Sequence, residues 1–200
     1  MKKILMIIIL LTVSVYGQCL SGPISTRVGI KLGLNICTYD PGGGANTFSG
    51  TGMHFGFGMG TDIINLVAID MIPQYRSTKY TRDEVLGRHT YSYNNLYFPI
   101  FLSLKAGMIP LVSPYIGFGI GFNIRLSGTD RFEFNNGTAI DTPIQGSETT
   151  AKLIVGGGAE LKFIKFRISP EFTANIQARD ENSEEQTIDY HVSLGLYYAP

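Results

Sequence analysis

The chain has 200 residues, enough for one domain, and its 16 Lys and Arg balance its 16 Asp and Glu. Zero net charge removes the broad basic surface that nucleic-acid binding requires, so no nucleic acid is expected as a partner. Glycine reaches 24 residues, with 11 Tyr, 12 Phe and no Trp, and beyond the N-terminus no run approaches the roughly 18 apolar residues of a helical span; this is sheet composition.

Residues 1–17 read as an export signal. Lys2 and Lys3 supply the positive start, Ile4 to Val13 the apolar stretch, and Val15-Tyr16-Gly17 a cleavage site. The apolar run is short for a membrane anchor. Tyr16-Gly17-Gln18 lacks the Leu and the small residue that precede a lipidated cysteine, which argues against lipidation at Cys19. Residues 18–200 form the mature domain. Cys19 and Cys37 are too far apart along an extended chain to form a disulfide.

A period of two then dominates the chain. Val28, Ile30, Leu32, Leu34 and Ile36 alternate with Arg27, Gly29, Lys31, Gly33 and Asn35. Met53 to Met59 repeats the scheme against His54, Gly56, Gly58 and Gly60. Val67, Ile69, Met71 and Tyr75 oppose Ala68, Asp70, Gln74 and Arg76; Leu96, Phe98, Ile100, Leu102 and Leu104 oppose Asn95, Ser103 and Lys105. The second half follows suit. Ile116 to Ile124 alternates with glycines and Arg125, Leu153 to Leu161 with Lys152 and Glu160, and Phe166 to Phe172 with Arg167 and Glu171. Ile188 to Leu196 alternates with Asp189 and His191. The pattern predicts an all-β fold, an antiparallel up-and-down transmembrane β-barrel of about eight strands.

Between the strands, long polar stretches at Thr38–Gly50, Ser77–Tyr91, Ser127–Thr149 and Ala178–Thr187 read as loops. They alternate with short turns at Asp62–Asn65, Gly107–Ser113 and Lys162–Lys165. Long outside loops and short inside turns put both termini in the periplasm of a bacterial outer membrane.

Alternation alone does not separate this barrel from a soluble one that points its apolar face inward. Size does. One face carries Phe55, Phe57, Phe98, Phe118, Phe122, Phe166 and Phe172, whereas the other is largely glycine with isolated charges. About eight strands leave only enough interior for ordinary side chains, so the small face belongs inside and the bulky face in lipid. The expected lumen set is Arg27, Lys31, Asp70, Arg76, Lys105, Arg125, Lys152, Glu160, Arg167, Glu171 and Asp189. Enclosed charges need partners, so these residues predict a structural ionic plug rather than a pore.

Asn94-Asn95-Leu96-Tyr97-Phe98-Pro99-Ile100-Phe101-Leu102-Ser103-Leu104-Lys105 resembles a characteristic strand of the PorT-type outer-membrane β-barrel family of Bacteroidetes. Pro114-Tyr115-Ile116-Gly117-Phe118-Gly119-Ile120-Gly121 resembles its following Pro-Tyr strand, and Val155-Gly156-Gly157-Gly158-Ala159-Glu160-Leu161 its glycine-rich sixth strand. Tyr97-Phe98 departs from the family's acidic-aliphatic pair, and the chain ends in Tyr197-Tyr198-Ala199-Pro200 instead of a terminal aromatic. The resemblance implies an outer-membrane barrel and no particular activity.

Catalytic signatures are missing: there is no G-x-S-x-G, H-E-x-x-H or Walker-type loop. The Gly-x-Gly runs at Gly56–Gly60 and Gly117–Gly121 lie within strands and open no helix. His54, His89 and His191 show no metal-ligand spacing, so neither metal nor cofactor is expected. The expected function is non-enzymatic: a closed, narrow barrel displaying loops for envelope structure, binding or interaction. Its partners are outer-membrane lipids and, during insertion, the barrel-assembly machinery. The alternative is a lipid-modifying enzyme, an acyltransferase or deacylase, using His89 with Asp83, Glu84 and Ser92 in one outward loop.

Overall fold

The computed structural model describes residues 24–40, 47–63, 66–106, 111–177 and 186–200; residues 1–17, expected to be an export signal, and Cys19 lie outside them. Strand β1 (Ile24–Asp40) carries the first alternating run, with Leu34 60% exposed on one face and Arg27, Lys31 and Asn35 buried on the other. The remaining strands are β2 (Phe48–Ile63), β3 (Val67–Met71), β4 (Gln74–Glu84), β5 (Gly87–Lys105) and β6 (Val112–Phe134). After them come β7 (Ala139–Ile144), β8 (Thr149–Phe163), β9 (Phe166–Gln177) and β10 (Gln186–Tyr198).

All pairings are antiparallel, and the first strand meets the last, Leu32 opposite Leu194. β3 and β4 form one span: β2 pairs with both in continuous register, Met59 with Met71 and Gly56 with Gln74. The break falls at Ile72-Pro73, where Pro73 has no amide hydrogen to offer the ladder. β7 pairs only with the outer part of β6 among the described residues. The circuit therefore has eight membrane-crossing spans.

Partners can be followed around that circuit from Phe163 through Phe166, Tyr198, Val28, Met59, Met71, Ile100 and Ile120. The path returns to β8 at Leu153, ten residues from its start. This stagger tilts the strands by roughly 35–45° and leaves a lumen that side chains fill. Every residue on the path is apolar or aromatic and lies on the outward face, so the path traces the lipid belt.

The polar connections hold a surprise. Residues 77–91 and 127–149, which read as loops, are mostly strand: β4 and β5 continue to a turn at Val85-Leu86, and β6 and β7 form a second hairpin. β1 and β2 likewise extend into 38–50, leaving Tyr39 opposite Phe48. Sequences such as Thr78-Lys79-Tyr80-Thr81 and Thr90-Tyr91-Ser92-Tyr93 have high strand propensity, but beyond the membrane both faces can be polar, so the apolar rhythm fades while the ladder persists. Asp62 and Ile63, assigned to a turn from sequence, end strand β2. Leu126 is a bulge residue: Asn95 pairs with Arg125 but Asn94 with Ser127, so the inward parity of β6 switches from odd to even numbers above it.

Phe57 (64%), Met53 (66%) and Ile116 (70%) are exposed, while the buried side chains are chiefly polar or charged. This inversion of a soluble protein requires a surrounding apolar solvent. Replacing Ile120 with Arg should therefore cost about 2–4 kcal/mol near the midplane. Asn123→Arg, on the lumen face, should cost clearly less. Urea titration of protein refolded into vesicles measures both, and equal losses would reverse the assignment of faces.

Candidate functional site

Six strands converge on an ionic cluster near the short-turn end of the barrel. Arg27 of β1 donates to Asp62 (3.0 Å), to Glu160 (2.5 Å) and to both oxygens of Asp70 (2.7 and 2.8 Å). Lys105 of β5 bridges Asp62 (2.6 Å) and Glu160 (3.1 Å), and Arg167 of β9 contacts Asp62 and Glu160 as well. Arg27, Lys105 and Arg167 thus face Asp62, Asp70 and Glu160, so the cluster is neutral although its groups are largely buried. The links from Arg27 and Lys105 to Glu160 and from Arg167 to Asp62 join strands that are not neighbours in the barrel, whereas Arg27–Asp62 and Arg167–Glu160 join paired strands. Asp62 sits at the centre, and its parity with Gly58 and Gly60 was the signal for it; the Asp-Ile-Ile-Asn turn composition concealed that signal.

The middle of the lumen mixes charges with aromatic rings. Lys31 contacts Glu171, and the Tyr115 hydroxyl donates to Glu171 (3.0 Å), leaving its oxygen to accept from Ser169 (2.9 Å). Arg76 lies 3.2 Å above the Tyr97 ring centre and donates to Gln74. Tyr97 in turn donates to Asn175 Oδ1 (2.8 Å). A Cβ at Gly121 would fall on the Tyr97 ring, so this arrangement requires glycine there. Tyr97, Phe101, Tyr115 and Ile154 form a buried cluster on the face that the sequence pattern assigned to glycine and charge.

Farther toward the long hairpins, Lys152 holds Asp189 at 2.5 Å, with the free thiol of Cys37 beside it. His54 contacts Asn35 Oδ1 (2.6 Å) and Ser193 Oγ (3.0 Å). A carbonyl oxygen only accepts, so His54 carries its proton on Nδ1 and receives the Ser193 hydroxyl hydrogen at Nε2. The His191 ring lies 5.3 Å away. Arg125 reaches Glu148 at 2.9 Å.

Above the membrane belt, the inner side of the extended sheet gathers Tyr39, Phe48, Tyr80, Tyr91 and Tyr93. Tyr91 and Tyr93 stack at 6.2 Å, and Arg82 lies 4.1 Å over the Phe48 ring. The hydrogen bond from Arg82 holds the Glu84 carboxyl below the usual carboxylate range. His89 meets Asp130 at 2.5 Å and Glu84 at 3.7 Å. The catalytic constellation suggested by the sequence does not assemble. Asp83 is paired with Arg88, and Ser92, of opposite parity to His89 on the same strand, belongs to the other face of the sheet. His89 therefore has carboxylate neighbours in Asp130 and Glu84, while the Ser92 hydroxyl lies on the opposite face.

Chemically, the lumen is an interior held by ion pairs. Its central cavity measures about 30 Å³, space for roughly two water molecules. Among the described residues no three His, Cys, Asp or Glu side chains group as a metal site.

The chain is similar in structure to Ail, the attachment invasion locus protein of Yersinia pestis, with 13% identity over 87% of this chain and 99% of that one and a TM-score of 0.43. It is similar also to Neisserial surface protein A, with 11% identity, 89% and 99% coverage and a TM-score of 0.46. A de novo designed transmembrane β-barrel gives 10% identity, 86% and 95% coverage and a TM-score of 0.36. No curated protein matches the sequence. Residues 7–199 match the model of the outer membrane protein beta-barrel domain, and the chain belongs to that family.

Proposed function

We propose that this protein is a non-enzymatic, non-conducting scaffold of the bacterial outer membrane that holds its extended hairpins outside the cell for envelope structure, binding or interaction. The observation that carries this reading is the neutral cluster of Arg27, Lys105 and Arg167 with Asp62, Asp70 and Glu160, which ties opposite walls of the lumen together. A continuous water path would need these pairs to separate inside a low-dielectric wall, at several kcal/mol for each charge left alone. The aromatic residues of the middle layer occupy the remaining section.

In this reading the short turns and both chain ends face the periplasm, and Ala199 is anchored there by its amide hydrogen bond to Lys165. Outer-membrane lipids contact the apolar belt, and the barrel-assembly machinery inserts the chain. The strand motifs at 94–105 and 114–121 favour the PorT-type branch of the family. The lipid-modifying alternative loses its support with the separation of Ser92 from His89.

In planar bilayers the purified protein should show no stable channel of porin-like conductance. A steady, large conductance from the unmodified protein would replace the scaffold reading by transport.

Asp62→Asn should destabilise the barrel by about 3–5 kcal/mol, because three cations lose a shared buried carboxylate. Asp83→Asn, at a pair open to water, should leave the urea midpoint unchanged. A small Asp62→Asn effect would mean that the cluster is not what closes the lumen.

A further inference from the structure

The charges of the lumen pair off with one exception. Arg27, Lys105 and Arg167 share Asp62, Asp70 and Glu160; Lys31 takes Glu171, Lys152 takes Asp189, and Arg125 takes Glu148. Arg76 is 5% exposed and has no carboxylate within 4.0 Å among the described residues. Its contacts are the neutral oxygen of Gln74 and the face of Tyr97. The acidic charge that reaches it from farther off is Asp189, which Lys152 already holds, so the guanidinium makes direct contact with neutral groups alone and carries a large desolvation cost.

The cavity beside Arg76 is suited to a counter-charge. Its wall includes Lys31, Asn175 and His191 as well as Arg76 and Tyr97. Two of those side chains present buried nitrogens with no hydrogen-bond partner, Asn175 Nδ2 and His191 Nε2. Asn175 is 1% and His191 2% exposed. Tyr97 fixes the Asn175 amide by donating to its oxygen, which leaves the NH₂ as a donor. His191 adds a second donor in the Nε2–H tautomer.

The carboxylates on the same wall are already engaged. Asp70 gives both oxygens to Arg27, and Glu171 gives one to Lys31 and one to Tyr115. With those pairs closed, Arg76 is, among the described residues, the one charge on the wall without a directly paired carboxylate. Water would satisfy the donors but not the charge. A cation would meet Arg76 and Lys31, and about 30 Å³ excludes any large organic anion.

We propose that this cavity binds one small monovalent anion of chloride size, held by the Arg76 guanidinium, the Asn175 amide and the His191 ring. The bound anion neutralises the lumen and locks β4, β9 and β10 to a common centre, a ligand role separate from any contact made by the extracellular hairpins.

Bromide is the probe. Protein refolded and crystallised from sodium bromide should show one anomalous peak in the cavity between Arg76 and Asn175. Asn175→Asp should abolish it, because the carboxylate keeps the Tyr97 hydrogen bond and supplies the negative charge internally. In solution the wild-type urea midpoint should be higher in sodium chloride than in sodium gluconate at equal ionic strength, and the difference should vanish in Asn175→Asp. A wild-type bromide map with no peak in the cavity overturns the proposal, whatever the variant does. A chloride effect that persists undiminished in folded Asn175→Asp overturns it too, since the halide would then act elsewhere.

Discussion

A barrel of eight strands encloses a cylinder that side chains must fill, and any charge placed inside must be answered inside. The rest of this structure follows from that constraint. With lipid outside there is no water to solvate a stray cation on the wall, and the ten-residue stagger from Phe163 to Leu153 keeps the lumen narrow. Arg27 can therefore reach carboxylates from β2, β3 and β8 at once, separated in sequence by 35 to 133 residues. In a wider barrel the same side chains would line a channel.

The constraint divides the molecule along its axis. At the short-turn end the solution is ionic, with cations and carboxylates matched. In the middle layer, rings take over from charges: Tyr97 carries Arg76 on its face, and Tyr115 links Glu171 to Ser169. At the long-hairpin mouth Phe48, Tyr80 and Tyr91 pack among themselves, where water is close and charge is no longer costly. The hairpins beyond inherit a rigid base because their strands continue the spans; β5 runs unbroken from Gly87 at the long-hairpin end to Lys105 at the opposite rim.

Much of this was legible in the sequence, because lipid and lumen impose opposite demands on alternate residues. The strand positions, the outward belt and the inward parity of Arg27, Lys31 or Glu160 can be read directly from the period of two. What was hidden has physical reasons. Residues 77–91 and 127–149 lose the apolar rhythm because their outward face no longer meets lipid and can be polar, although β-branched and aromatic residues keep them extended. Leu126 inverts the parity of β6 through one bulge that no local pattern announces. Asp62 resembled a turn residue because a carboxylate beside Ile-Ile-Asn carries no mark of the cations waiting across the barrel. Partner choice is a three-dimensional property, set by stagger, and one-dimensional parity gives only the side of the wall.

Glycine content has the same origin. The inward glycines are not empty positions: a side chain at Gly121 would strike Tyr97, at Gly117 Phe101, and at Gly29 or Gly195 Tyr197. At Gly29, Gly117 and Gly121 the ring comes from a neighbouring strand, and at Gly195 from two residues along the same strand; a side chain in any of these places would collide with it. A narrow barrel cannot accommodate large side chains from every strand at one height, so strands carrying Tyr97 or Phe101 alternate with strands reduced to backbone. Glycine on one strand is thus, at Gly29, Gly117 and Gly121, the complement of an aromatic ring on the next. The face that looks small in composition is filled by a few large residues whose positions are dictated by where the glycines stand. That complementarity also explains how an arginine without a carboxylate partner can stand in the lumen: Gly121 admits Tyr97, Tyr97 supports Arg76, and the same ring's hydroxyl orients Asn175.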